Sequence, residues 1–203
     1  MIFDEIGAEK FLEKEGFPVA KKFEIGDKQQ LVNAARNLGF PCVLKISSHE
    51  ATHKAKIGGV KVLYNAEKID ETFDSFQEIA KKVDGKIILQ KFENGKELLV
   101  GLKKDPVFGH VLLVGIGGSY TEIIKDINFK ILHGKVSVNE LKEMLKSLKN
   151  FSLIEHCNLD SVSHILLKIS QVAEKFPDIK ELDINPLIVN EKEAVVVDAR
   201  MIK

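Results

Sequence analysis

Residues 181–198 read ELDINPLIVNEKEAVVVD, and the two apolar runs predict a pair of closing strands joined by a turn at residues 190–193. Alternate residues of a strand face the same side of a sheet, so Asp183 and Asn185 should point together. The neighbouring strand can bring Asp198 beside them. Two carboxylates and an amide oxygen suit Mg²⁺, which proteins usually hold with a few oxygens plus phosphate groups. The alternative is that Asp183 and Asn185 merely face solvent on an edge strand, with Asp198 in a turn.

A lysine stands inside a second apolar run, CVLKIS at residues 42–47. A buried ammonium group is costly without a partner, and a phosphate would be a suitable partner for Lys45. Further along, Gly58-Gly59 would allow backbone N–H groups to approach an anion closely. The alternative is a lysine on an edge strand followed by a glycine bulge.

A glycine cluster, Gly115-Ile116-Gly117-Gly118, follows the apolar run at residues 111–114. It is neither a P-loop nor a complete dinucleotide-binding fingerprint, because no GKS/T follows and the third spaced glycine is missing. It predicts a tight turn beside a bound anion. Glu122 and Asp126 follow at helical spacing, and the alternative for them is a solvated face.

One motif suggests a different chemistry. His49-Glu50-Ala51-Thr52-His53 matches H-E-x-x-H, in which two histidines one helical turn apart bind Zn²⁺ and the glutamate acts as a base. The motif needs a well-formed helix, yet it is squeezed between a predicted strand and a glycine pair, and lysines follow at once. A zinc hydrolase is therefore the weaker alternative. The other histidines, His110, His133, His156 and His164, lack ligand spacing and should lie at the surface or the core edge.

The composition narrows the class of protein. Thirty basic and thirty acidic residues leave no net charge, which argues against a nucleic-acid binder. Cys42 and Cys157 form no CxxC pair, which favours a reducing compartment. The opening residues do not resemble a secretion signal, and no run of about 18 apolar residues predicts a membrane span. A cytoplasmic protein is the resulting expectation.

Apolar periodicity and turn residues predict an α+β chain of two lobes, residues 1–94 and 95–203. The predicted helices cover residues 5–15, 28–38, 67–82, 138–149 and 160–175. The predicted strands cover residues 42–47, 57–64, 86–92, 95–103, 110–116, 180–189 and 194–199.

Taken in order, these motifs resemble the β subunit of ADP-forming acyl-CoA (acetyl-CoA) synthetases and, more distantly, that of succinyl-CoA synthetase, both of the ATP-grasp superfamily. The resemblance extends from about residue 5 to the end of the chain. The matching segments are GFPV at 16–19, GFPCVLKI at 39–46, HKAKIGGV at 53–60, GKELLVG at 95–101, DPVFG at 105–109, GIGG at 115–118, ELDINPL at 181–187 and VVVD at 195–198.

The resemblance implies an ATP-grasp fold with the nucleotide site in the cleft between two lobes, and it implies ATP or ADP with Mg²⁺ as ligands. It also implies a role for each matching residue. Lys45 would bind the nucleotide phosphates, and Gly58, Gly59 and Val60 would form a lid over them. Gln90, Lys91 and Phe92 would form a hinge whose backbone binds adenine, and Glu97 would lie beside the nucleotide. Asn185 and Asp198 would be magnesium ligands, with Asp183 close by.

Members of this family catalyse acyl-CoA + ADP + phosphate ⇌ carboxylic acid + ATP + CoA together with a CoA-binding α subunit. The resemblance implies such a partner, in an α₂β₂ assembly, and implies that His53 carries a phosphoryl group. One departure stands out. The family's arginine-containing stretch is replaced here by residues 153–157, LIEHC, which contain no arginine. A nucleotide-binding regulatory module that has lost turnover is therefore the second interpretation.

Overall fold

The computed structural model describes residues 1–48, 54, 57–118 and 126–203. These residues pack into two compact units. Unit one consists of Met1–Phe3, Gly7–Val19 and Glu93–Lys203, and unit two consists of Asp4–Ile6 and Ala20–Phe92. The chain thus passes from unit two to unit one after Phe92, and the segment Gly7–Val19 packs with the second half of the sequence.

The regular elements are numbered in chain order. The strands are β1 Ile2–Phe3, β2 Lys22–Ile25, β3 Cys42–Ser47, β4 Val60–Leu63, β5 Lys86–Lys91, β6 Lys96–Asp105, β7 Gly109–Ile116, β8 Ile127–Ile131, β9 Glu181–Val189, β10 Ala194–Val196 and β11 Ala199–Ile202. The helices are α1 Glu5–Lys14, α2 Lys28–Leu38, α3 Ile69–Lys82, α4 Val138–Lys146 and α5 Leu159–Lys175, with a 3-10 turn at Phe151–Leu153.

Unit two contains an antiparallel sheet in the order β2-β5-β3-β4, with α2 and α3 packed on one face. Leu44 of β3 is fully buried in the core that these helices share with the sheet. Because successive side chains of a strand alternate between faces, Lys45 points to the face opposite the helices. Asp27 caps the N-terminus of helix α2, because its side chain accepts a hydrogen bond from the backbone N–H of Gln30 at 2.8 Å.

Unit one contains a second sheet in the order β1-β11-β9-β6-β7-β8, with β10 also pairing with β9. Its apolar face packs against α1, α4 and α5 in one core, to which Leu182 and Ile184 of β9 contribute. Asp183 and Asn185 alternate with these buried residues and therefore lie on the opposite face. No helix within the described part of the chain is long and apolar enough to cross a membrane.

All five predicted helices are present within a few residues of their predicted bounds. The closing strand predicted at residues 194–199 is instead two strands, β10 and β11, separated by Val197 and Asp198. Strands β1, β2 and β8 were not predicted, because they are short or carry too many polar residues for a clear apolar run. Each of them is fixed by pairing with a longer strand from elsewhere in the sequence.

Candidate active site

Unit one brings the three predicted metal-binding side chains to one place. The backbone N–H of Asn185 donates to the carbonyl of Asp198 at 3.1 Å, in the break between β10 and β11. Two residues along each strand from that hydrogen bond, Arg200 of β11 pairs with Asp183 of β9. Strand β9 has neighbours on both sides, so the edge strand of the alternative is wrong, while Asn185 itself is exposed. Asp183 and Asn185 lie on one face of β9, and Asp198 lies beside them in the break between β10 and β11; Asp183 and Asp198 are half-buried and Asn185 is exposed.

Negative charges are crowded around Asp183. The pKa of Asp183 is raised to about 6, chiefly by burial. The negative charges of Glu181 and Asp198 raise it further, and the positive charge of Arg200 lowers it in part. Carboxylates held close together in this way favour either a proton or a cation between them. The donor set therefore fits Mg²⁺.

The set would bind a metal only together with other oxygen donors. Within the described residues, no group of three or more histidine, cysteine, aspartate or glutamate side chains is placed to hold a metal. Asp183, Asp198 and Asn185 offer two carboxylates and one amide, which matches the usual reliance of Mg²⁺ on water and substrate phosphates for its remaining ligands.

We predict that Asp183→Asn stabilises the metal-free protein at pH 7.5 by about 1–2 kcal/mol, because it removes a carboxylate that folding makes harder to ionise. The folded-state pKa of about 6 lies above the ordinary value of 3.8, so Asp183 costs stability above pH 6, and this cost fades as the pH falls towards 4. Thermal unfolding of both proteins in EDTA between pH 4 and 8 measures the difference.

Asp178→Asn is the matched control for that prediction. The hydrogen bond from Lys203 lowers the pKa of the Asp178 carboxyl, so its removal should not stabilise the protein at pH 7.5. Equal melting temperatures for the wild type and Asp183→Asn across the whole pH range would contradict the expected charge crowding.

Glu97 lies beside the predicted glycine turn. The N–H of Gly117 donates to the carbonyl of Glu97 at 2.7 Å, and a Cβ on Gly117 would stand 2.9 Å from the Glu97 carbonyl carbon. Gly118 has φ +86°, and a Cβ there would lie 3.0 Å from a carboxylate oxygen of Glu97. The two glycines therefore permit a close backbone approach to the start of β6, where the Glu97 side chain is exposed.

Asp126 has a structural role, so the alternative of a solvated face is wrong for this residue. It is buried and accepts the backbone N–H groups of Lys149 and Asn150 at 3.0 and 2.7 Å. Burial alone would raise the pKa of Asp126, but these hydrogen bonds outweigh burial and lower it. Asp126 thereby ties the start of β8 to the segment after α4. Glu122 lies outside the described residues.

Unit two places Lys45 on an inner strand. Strand β3 runs between β4 and β5, and Lys45 pairs with Val60 on one side and Ile88 on the other. The alternative of a lysine on an edge strand is therefore wrong. Lys45 is buried and forms an ion pair with the carboxylate of Glu5.

Glu5 is the residue of this region that sequence reasoning missed. Its carboxylate also pairs with Lys54 and is itself buried. Burial alone would raise the pKa of Glu5, but the two ammonium groups outweigh it and hold the pKa below the usual value. An acidic residue in the first helical turn is ordinary because it suits the helix dipole, so nothing local marked Glu5. The available signal was the need of Lys45 for a partner.

Gly59, directly before β4, is hydrogen-bonded through both its N–H and its carbonyl. The N–H of Gly59 donates to the carbonyl of Lys54 at 2.7 Å, and the N–H of Ile46 donates to the carbonyl of Gly59 at 2.9 Å. The Gly59 N–H is thus engaged within the chain in this structure, while Gly58 adopts φ +74°. Val60 is exposed at the start of β4. A lid role for Gly58, Gly59 and Val60 stays a prediction.

The predicted hinge residues end unit two. The N–H of Lys91 donates to the carbonyl of Lys21 at 2.8 Å, so that donor is already used, and Phe92 is the last residue of the unit. Gln90 is buried, and its side-chain Nε2 has no hydrogen-bond partner among the residues that the structure describes. Reading of a base by Gln90, Lys91 and Phe92 stays a prediction.

The histidines divide into two groups. His53, the predicted phosphoryl carrier, and the rest of the H-E-x-x-H motif lie outside the described residues. The other four are exposed or at the core edge, as predicted. Among them, His110 contacts the Ile179 carbonyl through Nε2 at 2.9 Å.

Residues 1–202 match the ATP-grasp domain family. The chain is 32% identical to the β subunit of acetate–CoA ligase [ADP-forming] I of Pyrococcus furiosus, over 96% of this chain and 89% of that one. It is 34% identical to acetate–CoA ligase [ADP-forming] II of Archaeoglobus fulgidus, covering all of this chain but only 30% of that longer protein.

Among solved structures, the dinucleotide-forming acetyl-coenzyme A synthetase 1 of Ca. Korarchaeum cryptofilum, in complex with coenzyme A and Ca-AMPCP, superposes with a TM-score of 0.89. The sequences are 29% identical, and the match covers 99% of this chain and 93% of that one. The same synthetase with coenzyme A and Mg-AMPPCP gives a TM-score of 0.79 at 31% identity, covering 98% and 91%.

The chain belongs to the ATP-grasp family, whose domains bind ATP or ADP. Within it, the chain is a homologue of the β subunits of ADP-forming acetate–CoA ligases. The predicted resemblance and the predicted ATP-grasp fold are thereby confirmed. The match along residues 1–202 also disfavours a zinc hydrolase.

Proposed function

We propose that this chain is the nucleotide-binding part of an ADP-forming acyl-CoA synthetase, which converts acyl-CoA, ADP and phosphate into carboxylic acid, ATP and CoA. The observation that carries the proposal is the cluster of Asp183, Asn185 and Asp198 on the closing strands of a chain that matches ligase β subunits along nearly its whole length. We propose that unit two and unit one correspond to the two lobes of the fold.

The proposed metal site would consist of Asn185 and Asp198, with Asp183 close by. Bound Mg²⁺ would neutralise the charge of the nucleotide phosphates and supply electrostatic stabilisation during phosphoryl transfer. Burial, and after it the neighbouring negative charges, raises the pKa of Asp183, and this supports the assignment because a bound cation would stabilise the charged carboxylate. Glu97, on the neighbouring strand β6, would face the nucleotide from the same sheet.

Lys45 would contribute the second positive charge. Its ammonium group and that of Lys54 both contact the carboxylate of Glu5 in a buried cluster. A buried ammonium group attracts an anion. We propose that Lys45 binds the phosphates of the same nucleotide. The backbone of Gln90, Lys91 and Phe92 would bind the base, and Gly58, Gly59 and Val60 would cover the phosphates.

His53 is proposed as a phosphoryl carrier on the strength of the family resemblance. A neutral imidazole is a good nucleophile at neutral pH, and its phosphoramidate is a reactive donor. In the transfer to ADP, the bond between phosphorus and the imidazole nitrogen breaks as a terminal oxygen of ADP forms the new bond to phosphorus. The imidazole nitrogen then becomes available for a proton again.

The remainder of the reaction would require a CoA-binding α subunit or an equivalent segment of a longer chain. The relatives are either named as β subunits or are more than three times the length of the matching region. An α₂β₂ assembly is our proposal for the separate-subunit case. The partner would select the carboxylic acid.

The direct test combines the chain with its CoA-binding partner, acetyl-CoA, ADP, phosphate and Mg²⁺, and measures ATP by coupled assay. ATP formation that requires both chains and stops in His53→Ala is expected. Calorimetry of the chain with ADP and Mg²⁺ measures nucleotide binding separately. Absence of nucleotide binding under these conditions would refute the proposed function.

The second candidate is a nucleotide-binding regulatory module without turnover. It is favoured by residues 153–157, which lack the arginines typical of the family. In the structure, Ile154 of this stretch is buried in the core of unit one, while Glu155 and His156 are exposed. ADP binding without ATP formation, in the presence of the partner, would establish this alternative.

A further inference from the structure

Arg200 lies beside the proposed metal ligands, and Arg36 is the only other arginine in the sequence. The neighbours of Arg200 in β11, Ala199 and Met201, are buried in the core of unit one. Because successive side chains of a strand alternate between faces, Arg200 lies on the face of the sheet opposite the helices. Asp183 lies on that face too, directly across from Arg200 in the strand pairing.

Side chains on this face follow a fixed order with distance from the predicted hinge. The start of β6 follows the hinge in the chain and places Glu97 beside the end of β9. Towards the beginning of β9, the hydrogen bond between Asn185 and Asp198 comes next, and the pairing of Asp183 with Arg200 follows it. Residues two apart in a strand are separated by about 7 Å. Arg200 therefore lies one such step beyond Asn185 and Asp198, on the side away from Glu97.

A nucleotide bound as proposed would extend along β9 in the same order. Its base would lie at the hinge, Glu97 would follow, and Mg²⁺ on Asn185 and Asp198 would hold the phosphates. The phosphate furthest from the base would then lie closest to Arg200. We propose that Arg200 binds the terminal phosphate of ATP, which ADP lacks, a role that rests on the proposed nucleotide-binding function.

The guanidinium group suits this role. It carries five N–H donors in a planar fork, so it can donate to two phosphate oxygens and still face a carboxylate. The positive charge of Arg200 lowers the pKa of Asp183, so the two groups interact. Within the described part of the chain, the guanidinium group makes no hydrogen bond or ion pair. Its donors are therefore available to a phosphate.

The competing account is that Arg200 only balances negative charge in the free protein. Glu181, two residues before Asp183 in β9, also raises the pKa of Asp183, and it pairs with Lys103 of β6. On this account, loss of Arg200 would weaken the metal site and hence every nucleotide bound through it. On ours, the loss would affect ligands with a third phosphate. The two accounts differ in the ratio of the affinities for ATP and ADP.

The experiment measures the binding of two ligands to the full chain by calorimetry in the presence of Mg²⁺. The ligands are ADP and an ATP analogue with a methylene group between its last two phosphates. Arg200→Met should weaken binding of the analogue by about tenfold or more, because it removes charge-assisted hydrogen bonds to the third phosphate. Binding of ADP should change by less than about twofold, because ADP has no group that would accept these bonds.

Arg36→Met is the matched control, since it removes the other arginine, which is exposed on α2, and should leave both affinities unchanged. Equal weakening of both ligands in Arg200→Met, or no change in either, would overturn the inference. If Arg200→Met does not fold, Arg200→Lys becomes the test, because lysine keeps the charge but loses the planar fork. A smaller loss confined to the analogue supports the inference, and a wild-type ratio of affinities overturns it. Failure of the wild type to bind either ligand would instead refute the proposed function.

Discussion

Asp198→Asn should lower the rate of ATP formation by roughly 100-fold or more and should raise the Mg²⁺ concentration needed for half-maximal rate. Loss of groups that only support a metal ligand commonly costs 10–100-fold, and removal of a ligand should reach at least the upper end of this range. The asparagine keeps the size of the side chain but loses its charge. The measurement is a magnesium titration of the complete synthetase.

The structure predicts that Asp198→Asn folds normally. The contact between Asp198 and Asn185 in the strand pairing uses the backbone carbonyl, which the substitution leaves in place. Asp160→Asn is the control, because this exposed carboxylate pairs with Lys142 at 2.5 Å, away from the proposed ligands. Unchanged magnesium dependence in Asp198→Asn would place the metal elsewhere.

Lys45→Met should weaken the binding of ATP and ADP by about 100-fold, because a preorganised charge next to a phosphate contributes far more in a water-poor site than in solvent. Methionine replaces the lysine stem at similar volume, and Glu5 retains Lys54 as a partner, so the fold should survive. Calorimetry with ADP and Mg²⁺ measures the loss, and circular dichroism checks the fold.

Lys61→Met provides the matched control for that experiment. Lys61 lies on the adjacent strand β4, pairs with Leu44, and contacts Thr72 of α3 at 3.2 Å on the helix-covered face. Its loss should leave nucleotide affinity within about twofold of the wild type, because surface charges removed from a site act weakly. A comparable loss in both variants would mean that the effect of Lys45 is structural.

Both proposed anchor points hold charge in a crowded or buried place. Asp183 is half-buried near other carboxylates, and Lys45 is buried with Lys54 beside the carboxylate of Glu5. Charged groups placed in this way are common at functional sites. The expected stabilisation by Asp183→Asn and the expected inactivation by Asp198→Asn are two consequences of the same arrangement.

The amino-acid sequence was sufficient to predict the ATP-grasp fold, the family and the placement of Asp183 and Asn185 on the same face of a strand. The last follows from the period of two in a strand, which is a local property and needs no knowledge of neighbouring elements. The first residues of α2 and α4 are also set by local sequence, because the N-cap residues Asp27 and Ser137 precede them. The eight ordered motifs identified the family because their combination is specific even though each is short.

The contacts between distant groups became clear from the three-dimensional packing alone. Glu5 pairs with Lys45, Asp126 is buried against the backbone at residues 149–150, and Gly7–Val19 packs with the second half of the chain. The break between β10 and β11 lies opposite Asn185 and Pro186 of β9, with the same register on both sides. These contacts join residues far apart in sequence, and burial rather than local conformational preference selects them, so no pattern within one segment records them.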